Sequence, residues 1–248
     1  MKKFLFLLFV LTSSLVANTI NIAVAANVSY AIDDLIKEFN KQNPDTKVLV
    51  TLGSSGKLTA QIKNGAPYQL FMAANMKYPI TLDNDGLSLT KPLIYAQGSL
   101  AILSSKKQDF SKGINIVSEE NIEKIAIASP KTAPYGKAAV EALKNAKLYE
   151  SIEKKFVYAE SISQTVSYAI TAAELGFIAK SSLYSDKMAK YKEGINWTDV
   201  DPKLYTPINQ GIIILKNADK NKEVKAFYDF ILSEKAKKIF KDFGYLVP

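Results

Sequence analysis

The chain predicts an α/β protein of two lobes, each a βα sandwich, joined by two connecting strands. Short apolar runs alternate with longer amphipathic ones, the pattern of strand–helix units that build a parallel sheet. Two such series follow one another, before and after residues 96–99. The length of 248 residues accommodates one large domain or two small ones, and the paired series favour two.

The elements follow in order. Thr19 to Ala25 is the first strand, and Ile32, Leu35, Ile36 and Phe39 then recur at helical spacing until Asn43-Pro44 stops the helix. Lys47 to Leu52 is the next strand, followed by a helix over Lys57 to Asn64 and a strand over Gln69 to Ala73. Apolar segments at Leu93 to Tyr95 and Ser99 to Leu103 lead into the second series. Its strands are Lys124 to Ala128, Lys155 to Tyr158 and Gly176 to Ala179, and its helices are Pro134 to Lys147 and Ile162 to Ala173. Gln210 to Leu215 is a β-rich run with an internal glycine, and Lys222 to Phe243 reads as one amphipathic helix with Val224, Phe227, Ile231 and Phe240 inward. The chain should change lobes near Ala96 to Ser99 and Ile208 to Gly211. Residues 18–96 and 211–248 then form the first lobe, and 97–210 the second.

Residues 1–17 have the form of a secretory signal: Lys2 and Lys3, the apolar run Phe4 to Leu11, then small and apolar residues to Ala17. The run is too short to span a bilayer. Removing it takes two lysines, leaving 30 basic against 24 acidic residues, a formal charge of +6. The lysines are spread along helical faces such as Glu234 to Lys241, which argues against nucleic acid as a partner. Cysteine and histidine are both absent from the sequence. That excludes a disulfide scaffold, a thiol nucleophile, a lipidated cysteine, a cysteine-ligated metal and the Ser-His-Asp arrangement. Hydrolytic chemistry becomes unattractive.

Four segments share one design, in which a strand ends, small or polar residues follow and a helix begins. They are Ala25-Ala26-Asn27-Val28-Ser29, Gly53-Ser54-Ser55-Gly56, Ser129 to Gly136, and Ala159 to Gln164. In a parallel sheet these turns lie at the carboxyl edge, where ligands of open α/β sheets bind. Each offers unpaired N–H groups and the positive end of a helix dipole, so their convergence makes an anion site. Each taken singly is also an ordinary cap: Ser161 and Gln164 have capping-box spacing, and Gly53 and Gly56 relieve a tight turn. Lys57 and Lys137 follow two of the turns and read as solvated rather than ligating. Asn27-Val28-Ser29 and Asn196-Trp197-Thr198 match a glycosylation acceptor by chance spacing, and the thirteen tyrosines and Trp197 read as packing. The donors are neutral, which suits a fully ionised tetrahedral dianion, because a protonated ligand would set its own O–H against a donor.

The order and spacing of these residues resemble the periplasmic molybdate-binding proteins, of the type II periplasmic binding protein class. The likeness runs through Ala25 to Ser29, Gly53-Ser54-Ser55-Gly56-Lys57-Leu58, Asn64-Gly65-Ala66-Pro67 and Phe71 to Asn75 in the first lobe. It continues through Ala133-Pro134-Tyr135-Gly136, Leu175-Gly176-Phe177-Ile178, Ala226-Phe227-Tyr228 and Phe243-Gly244-Tyr245, covering almost the whole chain after residue 17. The resemblance implies a two-lobed monomer without cofactor that captures molybdate or tungstate in the periplasm and delivers it to an inner-membrane ABC permease. Carried residue by residue, it implies ligand groups at Asn27, Ser55, Tyr135 and Ile162, holding the molybdate oxygens with no direct protein–metal bond. It also implies that Asn27 donates through its backbone and its side-chain amide. A tyrosine that reaches the oxyanion in some members aligns with Ala179, which has no hydroxyl. The rival readings are a receptor for sulfate or another tetrahedral oxyanion, a secreted enzyme using Glu160 or Lys131 on an anionic metabolite, and a surface interaction module.

Overall fold

The computed structural model describes residues 18–248, so the signal expected over 1–17 lies outside the described residues. Ten strands form two five-stranded sheets. The first contains β1 (Asn18–Ala25), β2 (Thr46–Gly53), β3 (Leu70–Ala73), β4 (Leu93–Gly98) and β10 (Ile208–Ile214), ordered β2-β1-β3-β10-β4. The second contains β5 (Leu100–Leu103), β6 (Ile125–Ala128), β7 (Phe156–Ala159), β8 (Leu175–Ala179) and β9 (Trp197–Asp199), ordered β7-β6-β8-β5-β9. Only Ser99 separates β4 in one sheet from β5 in the other.

Neither sheet is wholly parallel. β1 pairs in parallel with β2 and β3, and β6 with β7 and β8, as strands joined by crossover helices must. β10 runs antiparallel to β3 and β4, and β5 antiparallel to β8 and β9. β5 enters its sheet from the other lobe, and β10 returns from it, so neither is bound by the crossover geometry that makes the remaining strands parallel.

The helices follow the apolar spacing. In α1 (Ile32–Asn40) Ile32, Leu35 and Phe39 are buried while Asp33 and Asp34 occupy the first turn, where negative charge complements the helix dipole. α2 (Ser55–Lys63), α4 (Pro134–Asn145) and α6 (Ile162–Thr171) start where the strand-to-helix turns place them. α3 (Lys77–Asn84), the single turn α5 (Tyr149–Ile152) and the three-residue β9 carry too little apolar periodicity to be read beforehand. The expected last helix is two: α7 (Lys222–Ile231) and α8 (Glu234–Asp242). Ser233 divides them, its hydroxyl accepting from the Ala236 N–H and starting a new helix where continuous apolar spacing suggested one.

Each sheet is buried on both faces. α1, α7 and α8 cover one face of the first with Leu35, Phe39, Val224, Phe227 and Phe240, while Leu58, Ile62 and Leu82 cover the other. The second sheet packs Ile125, Ile127, Ala139, Leu143 and Phe177 on one side and Val166, Ile178 and Met188 on the other. Phe227 is fully buried and meets the Phe39 ring edge-on at 5.0 Å between centroids. Phe227→Ala removes that contact and leaves a cavity, so it should destabilise the protein by about 3–5 kcal/mol in chemical denaturation.

Candidate oxyanion site

Gly136 shows how the sequence sets one wall of the site. A Cβ there would lie 2.0 Å from the Ala128 carbonyl oxygen, so only glycine lets the start of α4 pack this closely on the end of β6. Pro134 opens α4 at a position that needs no N–H. Across the cleft, the Ala74 N–H donates to Ser55 Oγ at 2.9 Å, which fixes the Ser55 rotamer and leaves its hydroxyl hydrogen free to donate. Ser161 caps α6 by accepting from the Gln164 N–H at 3.4 Å. The Gln164 side chain returns the bond one residue earlier than a standard capping box, to the Glu160 N–H at 2.7 Å.

Asn27, Ser55, Tyr135 and Ile162 all line one small cavity between the lobes. Ala25, Ala26, Gly53, Ser54, Ala74, Ala133 and Pro134 complete the lining, and none of these residues carries a charge. Ser55, Tyr135 and Ile162 lie in the first turns of α2, α4 and α6, whose N–H groups have no partner within their own helices. Asn27 lies in a short 3-10 turn over Ala26–Tyr30 that precedes α1. Ala179 ends β8 and is not among the lining residues. Glu160 and Lys131 do not line the cavity either; Glu160 pairs at 3.4 Å with Lys57 from the other lobe, both side chains half exposed.

The Asn27 side chain is placed differently from the expectation. Its Nδ2 donates to Gln210 Oε1 at 2.8 Å and to Tyr245 Oη at 2.9 Å, so both amide hydrogens are used within the protein and only the backbone N–H is left for a ligand. Its orientation is dictated by its partners. Gln210 Oε1 also accepts from Tyr95 Oη at 2.7 Å, and Tyr245 Oη spends its own hydrogen on the Asn27 carbonyl at 2.9 Å, so a reversed amide would face two acceptors. This burial also removes Asn27 as a glycosylation acceptor.

Several of these bonds cross between the lobes, because β4 and β10 carry residues 97–98 and 208–210 in the first sheet and not in the second lobe where the sequence boundaries put them. Gln210 Nε2 donates to Tyr135 Oη at 3.2 Å, and Ser181 Oγ, just beyond β8, donates to the Asn27 carbonyl at 3.2 Å. The Gly56 N–H donates to the Thr132 carbonyl at 2.9 Å and Tyr78 Oη to the same oxygen at 3.3 Å. The lobes are therefore held closed around the cavity. No part in the site is assigned to Gln210, Tyr245, Tyr95 or Ser181 from the sequence. An amide inside the apolar run Ile208 to Leu215 is the one local sign that Gln210 has a buried partner.

Burial raises the Tyr95 and Tyr135 phenols well above the ordinary value and pushes Tyr245 up to about 12. The neutral hydroxyls that the network needs are thus the favoured forms. Because the folded-state values are raised, the stabilisation is complete below pH 10, the ordinary value, and is lost as pH rises from there through about 12. Denaturation midpoints measured across that alkaline range should fall, with phenolate absorbance from these tyrosines appearing only as the protein unfolds.

Two lobes, one cleft and a neutral set of helix-start donors define a solute-binding protein that closes around its ligand. The sequence profile of the bacterial extracellular solute-binding proteins matches residues 20–246, and the chain belongs to that family. It is 35% identical over 231 residues to the molybdate-binding protein ModA of Azotobacter vinelandii, covering 92% of this chain and 90% of the relative. ModA of Rhodobacter capsulatus is 34% identical over 227 residues, covering 90% and 86%. The solved structure of the Azotobacter vinelandii periplasmic molybdate-binding protein matches with a TM-score of 0.85 and 31% identity, over 92% of this chain and 99% of that one. The chain is a binding protein and not an enzyme. No described helix is long and apolar enough to cross a membrane.

Proposed function

We propose that this protein is a periplasmic receptor that captures molybdate, and tungstate as well, and presents it to an inner-membrane ABC importer. It acts as a monomer without a cofactor once residues 1–17 are removed. The observation that carries this reading is the small uncharged cavity into which the helix starts at Ser55, Tyr135 and Ile162 converge with the turn at Asn27. The names of the relatives at 35% and 34% identity supply the choice of oxyanion.

Backbone N–H groups and the Ser55 hydroxyl hold the four oxygens through charge-assisted bonds, and the helix dipoles supply positive potential without a counter-ion. With no lining carboxylate, a protonated phosphate finds no charged acceptor for its O–H and is disfavoured against a fully ionised dianion. Closure brings the second lobe's donors onto an ion first seated on the other lobe. Release requires the inter-lobe bonds to break again, which gives a partner in the membrane a means to unload the site.

Calorimetry with molybdate, tungstate, sulfate and phosphate on the chain from residue 18 should show tight binding of the first two only. Ser55→Ala should weaken it by about ten- to a hundredfold. Sulfate displacing molybdate at similar concentration would assign the site to the smaller oxyanion instead. Gly56→Ala tests closure separately, because a Cβ there would lie 2.9 Å from Thr132 Cα and 2.8 Å from Tyr78 Oη. The variant should hold the lobes apart, and stopped-flow measurements should show faster ligand dissociation.

A further inference from the structure

We propose that the Ser54 hydroxyl is an additional ligand-binding group of this cavity, donating its hydrogen to one oxygen of the bound oxyanion; this deepens the receptor reading above and rests on it. Ser54 is 3% exposed and lines the cavity, yet its Oγ is buried with no hydrogen-bond partner. It occupies the N-cap position of α2, where a serine ordinarily accepts a bond from the first turn, and it makes no such bond. The capping side chains of Ser161, Asn221 and Ser233 each accept from the N–H three residues on. Ser54 is thus held out of the role its position offers. A buried hydroxyl left unpaired opposes folding, so a partner supplied by the ligand is the physical reason for tolerating it.

Among the described residues, two other buried side-chain oxygens lack partners, Asn27 Oδ1 and Asn40 Oδ1. Asn40 ends α1 and does not line the cavity. Asn27 Oδ1 does belong to a lining residue, but it has only lone pairs, and the bonds of its Nδ2 to Gln210 and Tyr245 hold the amide in that sense. It cannot serve an anion. Ser54 can, because rotation about its C–O bond carries the hydrogen to whichever acceptor arrives. With Ser55 it would place two successive hydroxyls and the Ser55 N–H on the same side of the ligand.

The test compares Ser54→Ala with Ser55→Ala, reading both molybdate affinity and the unliganded thermal midpoint. Ser54→Ala should lose at least about tenfold in affinity while its unliganded midpoint stays equal to or above that of the parent, since no protein hydrogen bond is lost. Ser55→Ala should lower both, because the Ala74 N–H loses its acceptor. Unchanged molybdate binding by Ser54→Ala, with the parent binding tightly, would overturn the role of Ser54 and leave the receptor reading intact. A lowered unliganded midpoint with the same affinity loss would assign Ser54 a structural role and also overturn it. If the parent chain itself bound no oxyanion, both readings would fall together.

Discussion

An anion seat with no counter-charge, the role proposed for this cavity, works only if its neutral donors are held rigidly in place, because each donor alone is worth little against water. Here that constraint falls on a buried network around Asn27 and Gln210. Gln210 accepts from Asn27 and Tyr95 and donates to Tyr135, while Tyr245 and Ser181 both donate to the Asn27 carbonyl. The residues come from β4, β10, the C-terminal tail and both sides of the cleft. The same contacts that fix the Asn27 turn therefore also bind one lobe to the other, and seat geometry and closure become a single property.

Close backbone approach is the second requirement. Tyr135 lines the cavity while its hydroxyl packs against the connecting strand at Gly98, which leaves it room: a Cβ there would lie 1.9 Å from Tyr135 Oη. Gly56 does the same for the lobe contact at Thr132, and Gly136 for the packing of α4 on β6. Gly98 ends β4, and Gly56 and Gly136 lie in the first turns of α2 and α4, where backbones approach most closely around the cavity.

The sheet topology places these turns face to face. In each lobe the parallel strands direct their carboxyl ends, and the helix starts after them, to one edge. β5 and β10 run antiparallel to their neighbours because they carry the chain between lobes, and they join the two edges at the cleft. The basic surface takes no part in the lining, and Lys57 is paired with Glu160 outside it. In the proposed receptor, specificity depends on hydrogen-bond direction and size rather than on net charge.

The local chemistry of the sequence determined most strands, the amphipathic helices and the four strand-to-helix turns, because apolar period, N-cap residues and glycines act over a few positions. Asn27, Ser55, Tyr135 and Ile162 were legible for that reason, as members of turns of one design. Their convergence on one cavity was decided by tertiary structure, since it depends on how two sheets exchange strands. The break at Ser233 was masked by apolar spacing that continues through it. The employment of the Asn27 amide by Gln210 and Tyr245 was also decided there, as was the absence of any partner for Ser54. Residues separated by 183 and 218 positions meet at Asn27, and no local pattern encodes a hydrogen bond across that distance.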